Sequence, residues 1–366
     1  LLGIVLLLEA TRRVLGLPMV IVALVFLGYT FGGPYMPDLL AHRGASLDRA
    51  MSHQWLTTEG VFGVALGVSS GFIFLFVLFG SLLDKAGAGN YFIKSAFALL
   101  GHMRGGPAKA AVVASAATGI ISGSSIANVV TTGTFTIPLM KRVGYRGDQA
   151  GAVEVSSSVN GQLMPPVMGA AAFLMVEYVG IPYIEVMKHA FLPAIISYIA
   201  LFYIVHLEAL KADMQGLPRR VQSTGMQRLV SFVTTVAGFF VLAGATYYTI
   251  SFIKSSLGGA AIPVIAALLM AAYLGLLWVS SRQPVLELDD PNAPVFELPE
   301  TGPTVRSGLH FLLAVVVLVW CLMVEQLSPA LSAFWATLFM VFIILTQTPI
   351  LGFMRGVHNI AGAFRH

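Results

Sequence analysis

Apolar residues fall in blocks of about helix length, separated by short clusters of charge, glycine and proline. A hydrocarbon core about 30 Å thick takes roughly 20 apolar residues at helical rise. Blocks at 14–31, 61–83, 186–207, 229–252, 260–279, 309–324 and 329–346 therefore predict spanning helices. Residues 1–8 form the tail of the first helix or of a preceding one. Residues 38–58 carry charge at helical spacing, which predicts an interfacial amphipathic segment. Residues 91–102 read as a shorter helix, and 281–306 as a polar, proline-rich loop.

Two regions break this pattern. Residues 108–121 and 126–140 are apolar stretches of 14–15 residues, below the roughly 17 needed to span. They flank the tetrad Ser122-Gly123-Ser124-Ser125, which predicts a re-entrant hairpin with a Gly/Ser tip. Residues 149–178 form a long segment interrupted at Pro165-Pro166, where proline removes an amide donor and clashes with the preceding turn.

Composition narrows the class. Hydrophobic residues make up 57% of the 366 and charged residues 10%. Soluble domains carry about 25% charged residues. This surface cannot face water all round, so the class is a polytopic, all-α membrane protein. The net charge of +4 fits basic cytoplasmic loops and points to no nucleic acid. With the hairpin re-entrant, one face collects 15 Lys/Arg, Lys109 included, and the other six. The positive-inside rule makes the first face cytoplasmic. Arg12-Arg13 falls on the other face and becomes cytoplasmic only if the hairpin is a true span. The lone Cys321 sits in an apolar run and reads as packing. The abrupt ends, LLGIVLLLEA and GAFRH, read as those of a fragment.

Candidate chemistry lies in the two irregular regions. Ser122, Ser124, Ser125, Asn128, Thr131, Thr132, Thr134 and Thr136 are polar within an apolar hairpin. Back-bonding to the i−4 carbonyl accounts for Thr134 and Thr136. A tip opened at Gly123 exposes carbonyls and hydroxyls for a small cation, and the N-terminus of the second arm for an anion. Ser156, Ser157, Ser158, Asn160 and Gln162 cluster before the proline break, like the unwound ion-binding helices of secondary transporters. Glu154 either reaches the interface to pair with Arg142 or Arg146, or acts as a coupling acid. His189, His206 and His310, near helix ends, read as interfacial. No P-loop, HExxH or GxSxG sequence occurs, so gradient-driven transport fits better than hydrolysis, and no enzyme activity is expected.

The runs ATGIISGSSIANVVTTGTFTIPLMKRVGY and GAVEVSSSVNGQLMPPVMGAAAFLMVEYVGIPY resemble the membrane component of tripartite ATP-independent periplasmic (TRAP) transporters. In detail they look like the fused permeases that pair with TAXI-type binding proteins. LLEATRR, FGGPYMPDLLAHRG, LTTEGVFGVALGVSSGFIFLFVLFG and HMRGGPAKAAVVASAA support the match, which weakens over 216–306 and returns loosely at GVHNIAGAF. The resemblance implies an elevator-type fold of two inverted repeats, the second lying outside this chain. It implies a scaffold helix and arm over 1–59, connecting helices over 60–106 and a transport hairpin and broken helix over 107–180. Scaffold helices over 181–280, a cytoplasmic loop over 281–306 and helices leading to the second repeat over 307–366 follow.

It further implies a multi-pass bacterial or archaeal inner-membrane permease importing a small organic acid, dicarboxylate or amino-acid-like, with Na⁺ or H⁺ as coupling ion and no cofactor. Its partners would be membrane lipid, a periplasmic TAXI-type binding protein and a small four-helix subunit fused upstream. The ion-binding role maps onto Ser122, Gly123, Ser124, Ser125, Asn128, Asn160 and Gly161. The substrate side maps onto Ser125, Thr132, Gln162, Pro165 and Pro166. A channel, or a membrane subunit energised by a separate protein, is the alternative reading.

Overall fold

The computed structural model describes residues 1–216, 225–284 and 298–356. Among these every regular element is helical. In chain order they are α1 (Leu2–Leu15), α2 (Leu17–Gly32), α3 (Leu47–Leu56), α4 (Val64–Val68), α5 (Phe74–Lys85), α6 (Ala88–Leu100), α7 (Gly106–Ser122) and α8 (Ser125–Arg142). Then follow α9 (Gly147–Gly161), α10 (Ala170–Val179), α11 (Tyr183–Lys211), α12 (Gly225–Leu257), α13 (Ala261–Ser281), α14 (Thr301–Ser307), α15 (Leu309–Val319) and α16 (Pro329–Met354). A π turn at Ser69–Ile73 joins α4 to α5, and another at Trp320–Val324 extends α15.

Among the described residues, five helical stretches are long and apolar enough to cross a membrane: Leu17–Tyr35, Val64–Lys85, Tyr183–Lys211, Phe240–Ser281 and Pro329–Met354. At 42 residues, Phe240–Ser281 has the length of two crossings and contains the α12–α13 corner. The pair Thr301–Ser307 and Leu309–Val324 is bent by 52° and can supply a sixth. The all-α polytopic reading therefore stands.

Several boundaries differ from the hydrophobic pattern. The first span starts at Leu17, because Gly16 takes φ 85° and Pro18 starts a new helix, leaving Arg12 and Arg13 in α1. Within 38–58 only α3 is helical, started by Ser46, whose hydroxyl accepts from the Arg49 amide. The end of the expected 281–306 loop forms α14. Residues 217–224, with Arg219 and Arg220, and part of the expected 281–306 loop lie outside the described residues, as do GVHNIAGAF beyond Gly356 and Arg365.

The chain forms two compact units, one of Leu1–Phe74 with Phe173–Ile181 and one of Leu75–Ala172 with Pro182–His366. In the first, the His42 ring occupies the space a side chain at Gly33 would need, and its Nε2 lies 3.0 Å from the Tyr29 carbonyl. In the second, α7 is the central strut, packed on α6, α8, α9 and α11. Its alanines explain this: Ala108, Ala110, Ala111 and Ala114 are all buried. Small side chains let four helices approach one axis where lipid gives no hydrophobic drive. On one side they meet Met140, Tyr145 and Val205; on another, Ile93, Phe97 and Phe135.

Candidate functional site

The hairpin follows from local chemistry. Gly105 at φ 62° and Pro107 in the first turn start α7. Gly123 at φ 57° ends it in the left-handed conformation that glycine adopts freely. Ser124 then starts α8, its hydroxyl accepting from the Ala127 amide at 3.3 Å. The tip is thus two residues long. The arms are 17 and 18 residues, about 26 and 27 Å. They are longer than their apolar stretches because Gly106-Pro107 and Lys141-Arg142 are helical too. The helices exceed the expected 14–15 residues, yet neither arm is among the stretches long and apolar enough to cross a membrane.

The broken helix is also longer in its break than Pro165-Pro166 alone requires. α9 stops at Gly161, and residues 162–169 are not α-helical before α10 starts at Ala170. The segment folds back on itself, the Gly169 amide donating to the Gln162 carbonyl at 2.8 Å. Tyr183 Oη donates to the Pro166 carbonyl at 2.7 Å and lies 3.1 Å from that of Val167.

Tip and break meet. A side chain at Gly123 would fall 2.3 Å from the Met168 carbonyl oxygen, so the tip backbone rests on the break. Gln162 Nε2 donates to Ser125 Oγ at 3.1 Å. One turn before the tip, α7 and α9 touch through glycines: a Cβ on Gly119 would sit 2.6 Å from Gly161 Cα. Ser122 to Ser125 are half-buried, and Ser122 Oγ donates to the Ser124 carbonyl at 3.4 Å. The amides of Ser125 and Ile126 find no backbone partner, leaving two donors at the positive end of α8. Asn160 is half-buried, and its side chain makes no hydrogen bond among the described residues. The site therefore offers both free donors and free oxygens. Pro165 is half-buried and Pro166 buried, which places them in the wall of the break.

Asn128, Thr132, Thr136 and Glu154 lie deeper, in a polar layer between α7, α8 and α9. Asn128 is 1% exposed. Its Nδ2 donates to the Ser115 carbonyl at 3.0 Å and to Ser115 Oγ at 2.9 Å, and its Oδ1 accepts from Thr118. Thr132 and Thr136 both contact the Glu154 carboxylate, Thr136 Oγ1 at 2.5 Å from Oε2. Glu154 is fully buried. The interfacial alternative for it is corrected: Arg146 pairs with Asp148 at 2.9 Å instead. Thr136 also back-bonds to the Thr132 carbonyl at 2.9 Å, as its position in α8 led one to expect.

Sequence reasoning missed Ser115 and Thr118, although their spacing carries a signal. Residues 128, 132 and 136 repeat every four positions, as do 154 and 158, while 115 and 118 are three apart. Each set lies on one helix face, and the three faces meet. Ser115 Oγ and Ser158 Oγ are 3.2 Å apart. Two other expectations change. Lys109 is not a loop charge but is 1% exposed, and His310, expected at the interface, is 2% exposed within the fold.

A chain of membrane-length helices that also carries a helical hairpin seated on a broken helix is an all-α, multi-pass membrane protein. Residues 2–357 match the family model described as "Tripartite ATP-independent periplasmic transporter, DctM component", and the chain belongs to that family. It is 36% identical over 91 residues to the C4-dicarboxylate TRAP transporter large permease protein DctM of Rhodobacter capsulatus, covering 25% of this chain and 21% of that one. It is 24% identical over 268 residues to the sialic acid TRAP transporter large permease protein SiaM of Vibrio cholerae, covering 72% and 58%. With the sialic acid TRAP transporter permease protein SiaT of Haemophilus influenzae it shares 27% identity over 157 residues, 43% and 25%. The chain thus matches less than two thirds of the length of each of these relatives.

Proposed function

We propose that this chain is part of the large permease of a secondary transporter that imports a small organic acid with Na⁺ or H⁺. The observation that carries the reading is the seating of the Gly123–Ser125 tip on the 162–169 break. Helix ends meeting inside a membrane protein leave carbonyls and hydroxyls that suit a hard cation and amides that suit a carboxylate. Ser122, Gly123, Ser124, Asn160 and Gly161 are assigned to the ion, and Ser125, Gln162, Pro165 and Pro166 to the substrate side. The relatives' names, for C4-dicarboxylates and sialic acid, support an acidic solute. Glu154, buried beneath the tip, is the group that would carry a coupled proton. A periplasmic TAXI-type binding protein would deliver the solute, and a small four-helix subunit would complete the membrane part. The hairpin and broken helix would move together as an elevator past the remaining helices.

The test is solute uptake by proteoliposomes holding the complete permease, with its binding protein outside. Saturable uptake driven by a Na⁺ or H⁺ gradient is expected. If Na⁺ is the coupling ion, Asn160→Ala should raise the half-saturating Na⁺ concentration about fivefold, the equivalent of roughly 1 kcal/mol. If H⁺ is, Glu154→Gln should flatten the pH profile of uptake. Ohmic conductance without coupling would overturn the reading in favour of a channel.

A further inference from the structure

Between α7 and α11 lies a cavity of about 470 Å³, with Met164 of the break also in its lining. That volume falls in the range of roughly 300–1,000 Å³ common for small-molecule sites. Its walls are apolar, formed by residues such as Val112, Val113, Ile195 and Phe202, with Lys109 and His206 at one end. Lys109 is 1% exposed, yet no carboxylate among the described residues pairs with it. Its Nζ lies 3.0 Å from His206 Nδ1 and 5.6 Å from the centre of the Phe202 ring.

The chemistry of this pair is one-sided. With Lys109 as an ammonium, which only donates, His206 Nδ1 accepts and the ring proton sits on Nε2. Lys109 keeps two N–H donors and His206 one. Lys109 also stands in the first turn of α7, where the helix dipole disfavours a cation. The end of the cavity therefore needs an anion. The rest of it needs hydrocarbon. Ile199 and Tyr203, also in its lining, are 64% and 58% exposed, and they belong to α11, a helix of spanning length. Its mouth thus opens along the side of a membrane helix.

We propose that this cavity binds an anionic membrane phospholipid, its acidic head group on Lys109 and His206 and one acyl chain along the α7–α11 wall. Apolar walls with a single buried cation match an acidic amphiphile better than a short, polar solute. The inference rests on membrane location and not on the transport reading, so either can fail alone.

The experiment is native mass spectrometry of the complete permease, delipidated in mild detergent and then offered dioleoyl phosphatidylglycerol, dioleoyl phosphatidylcholine or oleate. Wild-type protein should retain phosphatidylglycerol over phosphatidylcholine. Lys109→Gln should lower that retention about tenfold, as for the loss of a charge-assisted hydrogen bond. Val113→Trp, which fills the cavity and keeps the cation, should lower it as well, and it stands in if Lys109→Gln fails to fold. Equal retention by the wild type and both variants would overturn the proposal. So would retention of phosphatidylcholine as good as that of phosphatidylglycerol, retention of oleate in place of lipid, or no retention of lipid at all.

Discussion

Asn128 separates a ligand from a brace at the scale of one residue. Its chemistry fits a cation site, and its place five residues beyond Gly123 invites that role. Its side chain is nevertheless committed, donating to Ser115 twice and accepting from Thr118. A buried amide so used ties the two hairpin arms together. Asn128→Ala removes both amide bonds to Ser115 and the acceptor of Thr118, whose hydroxyl keeps the Ala114 carbonyl, at a cost of about 1–3 kcal/mol. The expected result is a lower melting temperature for the complete permease in Na⁺-free buffer, with near-normal Na⁺ dependence in the uptake that remains. An unchanged melting curve with a raised Na⁺ requirement would return Asn128 to the ion site. Asn160 is the opposite case, with the same side chain, half-buried and uncommitted. No property of either residue alone distinguishes them. The partners do, and those partners sit on other helices.

At the scale of elements, the chain's apolar blocks locate the helices well and their ends less well. Gly123 and Ser124 are legible because a left-handed glycine and a capping serine are local devices, and the tip falls where the tetrad places it. The arms run longer than predicted because apolar content stops at residues 108 and 140 while helical backbone does not. The full extent of the break was not legible. Pro165-Pro166 marks it, but its eight residues are held by contacts with Tyr183 and Gly123, remote in sequence. The glycine seam of α7 and α9 was equally hidden, since Gly119 and Gly161 gain meaning only as a pair. Gly119→Ala puts a methyl 2.6 Å from the Gly161 backbone, which cannot swing aside as a side chain would. Forced overpacking of this kind costs about 1–3 kcal/mol. Gly151→Ala, in α9 with nothing within 4 Å of its Cβ, is the control and should stabilise by up to about 1 kcal/mol. Thermal melts of the two variants check the contrast. Equal shifts would mean that the seam yields.

At the scale of the molecule, the question is which parts move as one body. The 57% hydrophobic content places the chain in a membrane, but the polar minority organises its centre. Asn128, Thr132 and Thr136 on α8, Ser115 and Thr118 on α7, and Glu154 and Ser158 on α9 form one buried hydrogen-bonded layer. Separating these helices in a low-dielectric interior would orphan most of these groups at once, which costs far more than sliding an apolar surface. The hairpin and α9 should therefore stay together throughout the proposed transport cycle. Ser115→Cys with Ser158→Cys tests this, because the two hydroxyl oxygens are already 3.2 Å apart. With Cys321 replaced by alanine, oxidation should link α7 to α9 and leave uptake within about twofold of the reduced protein, well under the fivefold of 1 kcal/mol. Uptake lost on oxidation and regained on reduction would show that α7 and α9 must part, and would rule out a rigid transport body built on this layer.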